Sequence, residues 1–543
     1  MSGNYTLAEI ELYGGISGAW TDESTGVAVA TVIAGECWLD SDGAASAIVQ
    51  QIVTINEVDT LHVLKFDVVH GPINVRIGTT AGAHDLMDWQ ALRTGTHQLE
   101  FTPGAATVYL QFWHTANAGR VLDNVSILPG SATVPYKLAY PYTIDELSEV
   151  HYRQMEDVLY LTHRDFEVRR LERRGHYSWS LTKLRPNDGP FASLNTGATA
   201  VRTSRTSGEA TMTADVDLFT AADVGVLFSI SGAGQNVSAT ATSGDTYTQG
   251  IKITGINASE RTFTFSISGT FVGTARLQRS SGNENNYVDY GASYAYTAPI
   301  TATHYDAQDN QTWYYRLAVK PGDYTSGTIN MQLTYAGGSS TGVVRVLAVQ
   351  SAKSAIVEII KNVPSTNPTK SWKRGAWTST AGFPSTITSG YGRLWFAAGL
   401  RVYGSVSDNF TSFEEGTETD QAITVRLGAQ SSEAIRWLGF TTHLVIGTKQ
   451  QEYIGLPNTA SDPVGPSNFQ VMQSTYDGGL AKMPAVAPGS VIFVHRSGQK
   501  IVQFTQDPKA LSETSYISVD LTARAPEILN AKIVDVAVQR EPE

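Results

Sequence analysis

Leu61-His-Val-Leu-Lys-Phe-Asp-Val-Val69 and Thr107-Val-Tyr-Leu-Gln-Phe-Trp113 place apolar residues at alternate positions, between clusters of turn-forming residues. A period of two is the signature of a strand with one face buried and one wet. A third such run, Val121-Leu-Asp-Asn-Val-Ser-Ile-Leu128, is halted by Pro129-Gly130, a pair that stops a strand and starts a linker. Residues 1-130 therefore read as a β-sandwich. Composition extends this to a mainly β chain: 41% of residues are hydrophobic, 10% aromatic and only 17% charged, which favours short strands and tight turns over amphipathic helices. A chain of 543 residues is too long for one core, so several domains are expected.

Beyond the linker the texture changes. Thr143-Ile-Asp-Glu146 spells a capping box, in which the threonine hydroxyl and the glutamate carboxylate satisfy orphan backbone N–H groups of a helix start. The run Asp157-Val-Leu-Tyr-Leu-Thr-His163 follows, then Arg164, Arg169, Arg170, Arg173 and Arg174 ahead of Trp179, and Pro186-Asn-Asp-Gly-Pro190 closes a helix-strand lead-in over 136-190. Residues 191-300 are rich in Ser, Thr, Gly and Ala, yet alternate as in Arg261-Thr-Phe-Thr-Phe-Ser-Ile267, which predicts a small β insertion domain. From 301 to 543, strands and turns recur with aromatic anchors at Trp377, Trp395, Phe413, Trp437, Tyr453 and Phe493. Without a strict period, this is read as a propeller-like, multi-sheet β body with one or two short helices in the chain as a whole.

The formal charge of -12 is unevenly spread. Residues 1-130 hold fourteen Asp/Glu and four Lys/Arg, a net of -10, which leaves -2 for the rest. The single cysteine, Cys37, excludes an internal disulfide and a thiolate zinc site. No apolar run approaches the roughly 20 residues of a membrane helix, and the start lacks a basic-then-apolar leader, so no membrane insertion is expected.

Several stretches from 136 to 543 together resemble the tail tube, stabilisation or nozzle proteins of short-tailed bacteriophages. These are Pro141-Tyr-Thr-Ile-Asp-Glu-Leu147, Gln154 with Asp157-Val-Leu-Tyr-Leu-Thr-His163, Leu171 and Trp179, and Val216-Asp-Leu-Phe-Thr-Ala-Ala-Asp-Val-Gly225, an inserted module that shares its name with a domain of ubiquitin-activating enzymes. Gly382-Phe-Pro384, Gly392-Arg-Leu-Trp-Phe-Ala397 and Val402-Tyr-Gly-Ser-Val-Ser-Asp-Asn-Phe410 come next. Ile435-Arg-Trp-Leu438, His443-Leu-Val-Ile-Gly-Thr448, Glu452, Gln473-Ser474, Gly478-Gly479, Val491-Ile-Phe-Val494, Gly498 and Asp520-Leu-Thr522 complete the order. The resemblance implies a homohexameric ring in the virion tail, assembled in the host cytoplasm. Its partners would be portal or adaptor and tail fibre or needle proteins, with genomic DNA passing transiently through the channel. Two departures stand out: the acidic sandwich replaces the family's usual N-terminal segment, and the family normally runs on through more strands, so the body is expected to be incomplete in this chain. The Asp-Asn-Val-Ser-Ile strand resembles the last strand of jelly-roll carbohydrate-binding modules, which implies a jelly roll for residues 1-130 and host surface polysaccharide as a further partner.

No catalytic residue is assigned and no cofactor is expected. The eleven histidines form no His-Glu-x-x-His spelling, and no Gly-x-Ser-x-Gly elbow, Walker loop or dinucleotide fingerprint occurs in a fitting context. Ubiquitin-type chemistry needs a thiol, and Cys37 lies outside that module. Carboxylate pairs such as Asp85/Asp88 are expected by chance among 51 acids. Tryptophans can stack on sugar rings: Trp20 and Trp89, beside acidic turn-rich stretches, lead the candidates, Trp38 is a further one, and Trp113 is assigned to the core. Glu9 and Asp123, on first and last strands, would suit a structural calcium. The arginine run is read as a solvated or inter-subunit face rather than a DNA grip, since strong phosphate pairing would retard ejection. A receptor-binding tail fibre or spike is the alternative function, and a polysaccharide depolymerase the third reading.

Overall fold

Strand Thr107–His114 realises the alternation of its sequence, with Val108, Leu110 and Phe112 buried on one side. The computed structural model describes residues 20–33, 36–55, 57–129, 138, 140–282, 284, 286–428, 434–459, 462–510, 514–524, 527 and 531–539. These fall into two compact units, one formed by residues 1–190 with 376–543 and one by 191–375. The chain is mainly β, and Ile144–Leu147 is the one α-helix among the described residues. Its capping box is as spelled: Thr143 N donates to Glu146 Oε2 at 2.7 Å and Glu146 N donates to the Thr143 hydroxyl at 3.4 Å. Among the described residues no helix is long and apolar enough to cross a membrane.

The first unit opens as a β-sandwich. A five-stranded antiparallel sheet takes the order Trp20–Asp22, Ala47–Thr54, Thr107–His114, Ile73–Gly78, Met87–Leu92. Facing it across a core of Leu39, Val49, Leu64, Phe66, Val75, Phe112 and Ile127 lie Gly95–Phe101, His62–His70, Arg120–Pro129, Glu36–Asp40 and Val29–Ile33. This second sheet does not stop at 130. It continues from Gly95–Phe101 into Trp179–Lys183, Phe166–Arg173, Val158–His163 and His151–Met155, nine strands in all, so the linker region returns to the sandwich edge. Register pairs Gln98 with Trp179, His97 with Ser180, Thr96 with Leu181 and Gly95 with Thr182.

Gly95 permits that approach. Its φ is +149°, and a Cβ there would stand 2.4 Å from Leu181 O and 2.5 Å from Thr182 Cα. The seam is further fastened by side chains: His97 Nδ1 lies 2.9 Å from Ser180 Oγ, Glu100 N donates to Ser178 Oγ at 3.0 Å, and Tyr177 N donates to Glu100 Oε2 at 3.1 Å.

The four strands from His151 to Lys183 are also the first of four antiparallel meanders. The others are Thr386–Gly390 to Ile423–Arg426, Ile435–Phe440 to Phe469–Thr475, and Ala485–Ala487 to Tyr516–Asp520. They pack face to face in chain order. In strand Arg393–Ala398, Leu394 and Phe396 join Tyr160 and Val168 in one core, while Trp395 and Ala397 join Leu444 and Phe469 in the next. Val445 and Trp437 then meet Val491, Phe493 and Phe504. Sheets buried on both faces read as unbroken apolar runs, which explains Leu394-Trp-Phe-Ala397 and Leu444-Val-Ile446.

The second unit is built on one long antiparallel strand pair, Leu227–Ala241 with Ile329–Ser351, whose register shifts near Gly234. One half packs a core around Phe228, Val344, Val357 and Trp372, the other around Phe263, Tyr315, Leu317 and Leu333. Buried Arg261 makes a two-pronged ion pair with Asp306, at 2.9 and 2.8 Å. The expected limit of the insertion at 300 is corrected to Gly375. Strand Ile300–Tyr305 pairs with Thr262–Ser268, and Ile329–Ser351 pairs with Leu227–Ala241, so residues after 300 complete sheets begun before it.

Gly95→Ala is expected to cost about 2–4 kcal/mol through steric overlap at the seam. Gly399→Ala, at φ +58° with nothing within 4 Å, should cost only about 1 kcal/mol. Urea midpoints of the two variants check the contrast. Burial also pushes His97 and His151 down to about 4 from 6.5, helped by the charges of Arg174 and Lys482 respectively. Both stay neutral in the fold, so their contribution is whole above pH 6.5 and is lost as pH falls toward 4, where the unfolded chain takes up the protons. Urea titrations across that window should show the loss, and His97→Gln should flatten it.

Candidate functional site

In strand Thr107–His114 the phase set by Val108, Leu110 and Phe112 turns Tyr109, Gln111 and Trp113 to the outer face. The strand lies at the middle of its sheet, so its outward residues have neighbours on both sides. Gln111 stands between Gln50 and Arg76, Trp113 between Ile48 and Asn74, and Tyr109 between Ile52 and Gly78. Arg76 Nε donates to Gln111 Oε1 at 2.8 Å, and Gln111 Nε2 donates to Gln50 Oε1 at 2.7 Å. Both glutamines are only 5% exposed, although they sit on the outer side of a sheet. The Arg76 guanidinium lies 4.5 Å from the Trp113 ring centre, a cation–π contact.

Trp89 completes the face from the edge strand Met87–Leu92. It is 55% exposed, and its ring centre is 6.5 Å from that of Trp113 at 58°. The loop between Gly78 and Met87 rims the site. Thr79 N and Oγ1 both donate to Asp85, at 2.9 and 2.8 Å, and hold its carboxyl below the usual range, while His84 Nδ1 lies 3.1 Å from Asp88. Two indole rings at the surface suit the C–H faces of a sugar, and the buried Gln50–Gln111 pair fixes the Arg76 guanidinium beside them.

The tryptophans singled out in the sequence do not converge. Trp20 pairs with Gln51 and leans half-buried on the core, 6.1 Å from the Phe112 ring. Trp38 lies half-buried in the opposite sheet between Thr31 and Val121. Trp113 is corrected from core to outer face. The signal was present in its own strand, where it follows Phe112 directly and so has the opposite phase. Gln50, Gln111 and Arg76 were missed because only strand register brings them into a row.

Glu9, proposed with Asp123 for calcium, lies outside the described residues. Asp123 accepts from Asn124 N at 2.7 Å, and Asn124 Nδ2 donates to Asp67 at 2.7 Å. Cys37 is buried, and burial beside Asp22 raises its thiol to about 12, far from nucleophile behaviour. The arginine run is largely met by acids: Arg164 pairs with Asp165 (3.2 Å), Arg170 and Arg174 with Glu172 (3.0 and 2.8 Å), and Arg173 lies over Trp179. In the second unit, Asp223 accepts from Thr220 N at 2.8 Å and pairs with Arg374, which makes the Val216–Gly225 stretch a capped turn.

No family model matches the chain, and no curated protein matches it in sequence. Among solved structures it is similar to the N-terminal tandem CBM22 domain of Xyn10C from Paenibacillus barcinonensis, at 10% identity, over 66% of this chain and 97% of that one, with a TM-score of 0.16. Vicilin from tomato, Solanum lycopersicum, matches at 9% identity over 55% and 76%, with a TM-score of 0.10. Likenesses this low carry no inference about ligand or activity.

Trp113→Ala and Trp89→Ala are each expected to weaken any retardation of the chain by a neutral polysaccharide about tenfold, the worth of one stacking platform. Trp38→Ala should leave it unchanged. Affinity electrophoresis in polysaccharide gels reads both.

Proposed function

We propose that the chain is a non-enzymatic structural protein of a bacteriophage tail, one subunit of a ring-shaped nozzle or tail tube through which DNA is ejected. Its sandwich would serve for decoration or adhesion to host polysaccharide. The observation that carries this reading is that the residues bearing the resemblance have architectural roles. Arg393 is buried and donates to carbonyls of Ser405, Thr419, Asp420, Gln421 and Val464, tying the loop of one meander to the next. Trp395 stacks on Phe469 at 4.8 Å and Trp437 packs against Phe493 at 4.7 Å, each across a meander junction. Glu452 accepts from Thr475 Oγ1 at 2.5 Å and Gly478 N at 2.8 Å, and Asp520 accepts from Thr522 N at 2.9 Å.

Side chains committed to clamping sheets suit a passive wall. The ion-paired arginines likewise favour a conduit that does not grip phosphates. Copies of the chain would associate in the virion tail, below portal and adaptor and beside fibre or needle proteins. The fibre or spike reading is favoured by one feature, the Trp89–Trp113 face, which could be the working part of an adhesin.

Negative-stain imaging and native mass of the purified chain are expected to give a six-fold ring with a central pore. A trimeric rod would overturn the nozzle in favour of the fibre. Release of reducing ends from host capsule or lipopolysaccharide would overturn the non-enzymatic reading.

A further inference from the structure

The nine-stranded sheet carries a groove on its own outer face. Strand His62–His70 lies between Gly95–Phe101 and Arg120–Pro129. Leu64, Phe66 and Val68 point into the core, so Lys65 and Asp67 point away from it. Register places Lys65 between Gln98 and Ser126, and Asp67 between Thr96 and Asp123. Over them opens a cavity of about 790 Å³, lined by Lys65, Asp67, Thr96, Gln98, Asn124 and Ser126, with the exposed ring of Tyr140 at its wall.

Two polar atoms here lack a partner among the described residues. Gln98 is 4% exposed, and its Oε1 is buried with no donor, an expensive state for an amide oxygen unless something fills it. Lys65 has no acceptor among the described residues, and burial lowers its ammonium from its ordinary range. Asp67 Oδ2 takes the amide of Asn124 at 2.7 Å, which leaves its other oxygen to accept from a ligand.

From this groove we propose a second glycan site, specific for a neutral oligosaccharide. Adjacent sugar hydroxyls donate and accept at once, so one hydroxyl can donate to Gln98 Oε1 while a neighbour accepts from Lys65 Nζ and donates to Asp67. Tyr140 offers a ring for an apolar sugar face. The groove pairs one cation with one facing carboxylate, inside a domain of net charge -10, which disfavours polyanions. This site is on the sheet opposite the Trp89–Trp113 face and stands or falls independently of it.

The test uses the full chain with maltotetraose, cellotetraose and chitotetraose as neutral probes and an alginate tetramer as the acidic one. Acetylation of Lys65, followed by peptide mass spectrometry, is expected to slow at least severalfold with a neutral probe and not with alginate. Gln98→Leu should weaken that probe about tenfold, the loss of one buried hydrogen bond, and Trp89→Ala should leave it unchanged. Should Gln98→Leu fail to fold, protection of Lys65 in the unaltered chain still decides. Absence of protection by every neutral probe, protection by alginate alone, or protection abolished by Trp89→Ala would each overturn the proposal.

Discussion

The seam between Gly95–Phe101 and Trp179–Lys183 is the constraint on which the first unit depends. An acidic sandwich and a stack of meanders share one sheet there, so neither can turn about a linker without breaking backbone hydrogen bonds. The seam tolerates no side chain at Gly95, and it buries His97, which spans Ser180 and the Arg93 carbonyl at 2.7 Å. Burial that keeps this histidine neutral couples the junction to pH.

From the seam outward the meanders repeat one solution. The two inner sheets are apolar on both faces and are held by large aromatic side chains interleaved with the next, which is why strands such as Arg393–Ala398 and Leu444–Thr448 lack the alternation seen in the sandwich. Polar residues inside the stack are paired with backbone: Arg393 with loop carbonyls, Glu452 with a hydroxyl and turn N–H groups. Burial still pushes the Glu452 carboxyl up, so its hydrogen bonds do not fully offset desolvation.

The two outer faces of the sandwich differ in kind. One offers accessible indoles beside a satisfied polar row; the other offers a groove with an amide oxygen and an ammonium that have no partner among the described residues. Both arise from the same geometry, in which residues of opposite phase leave the core and meet neighbours only through register.

Sequence alone determined the mainly β character, the strand phase in Thr107–His114, the capped helix at Thr143 and the concentration of acid in the first 130 residues, because each is a local or compositional property. Tertiary structure decided which strands are neighbours. Alternation tells a residue which way to face but not beside what, since pairing is won by long-range burial and close approach. Hence Gly95 met Thr182, strand Ile329–Ser351 closed the unit begun near 191, and Trp113 rather than Trp20 or Trp38 came to stand beside Trp89.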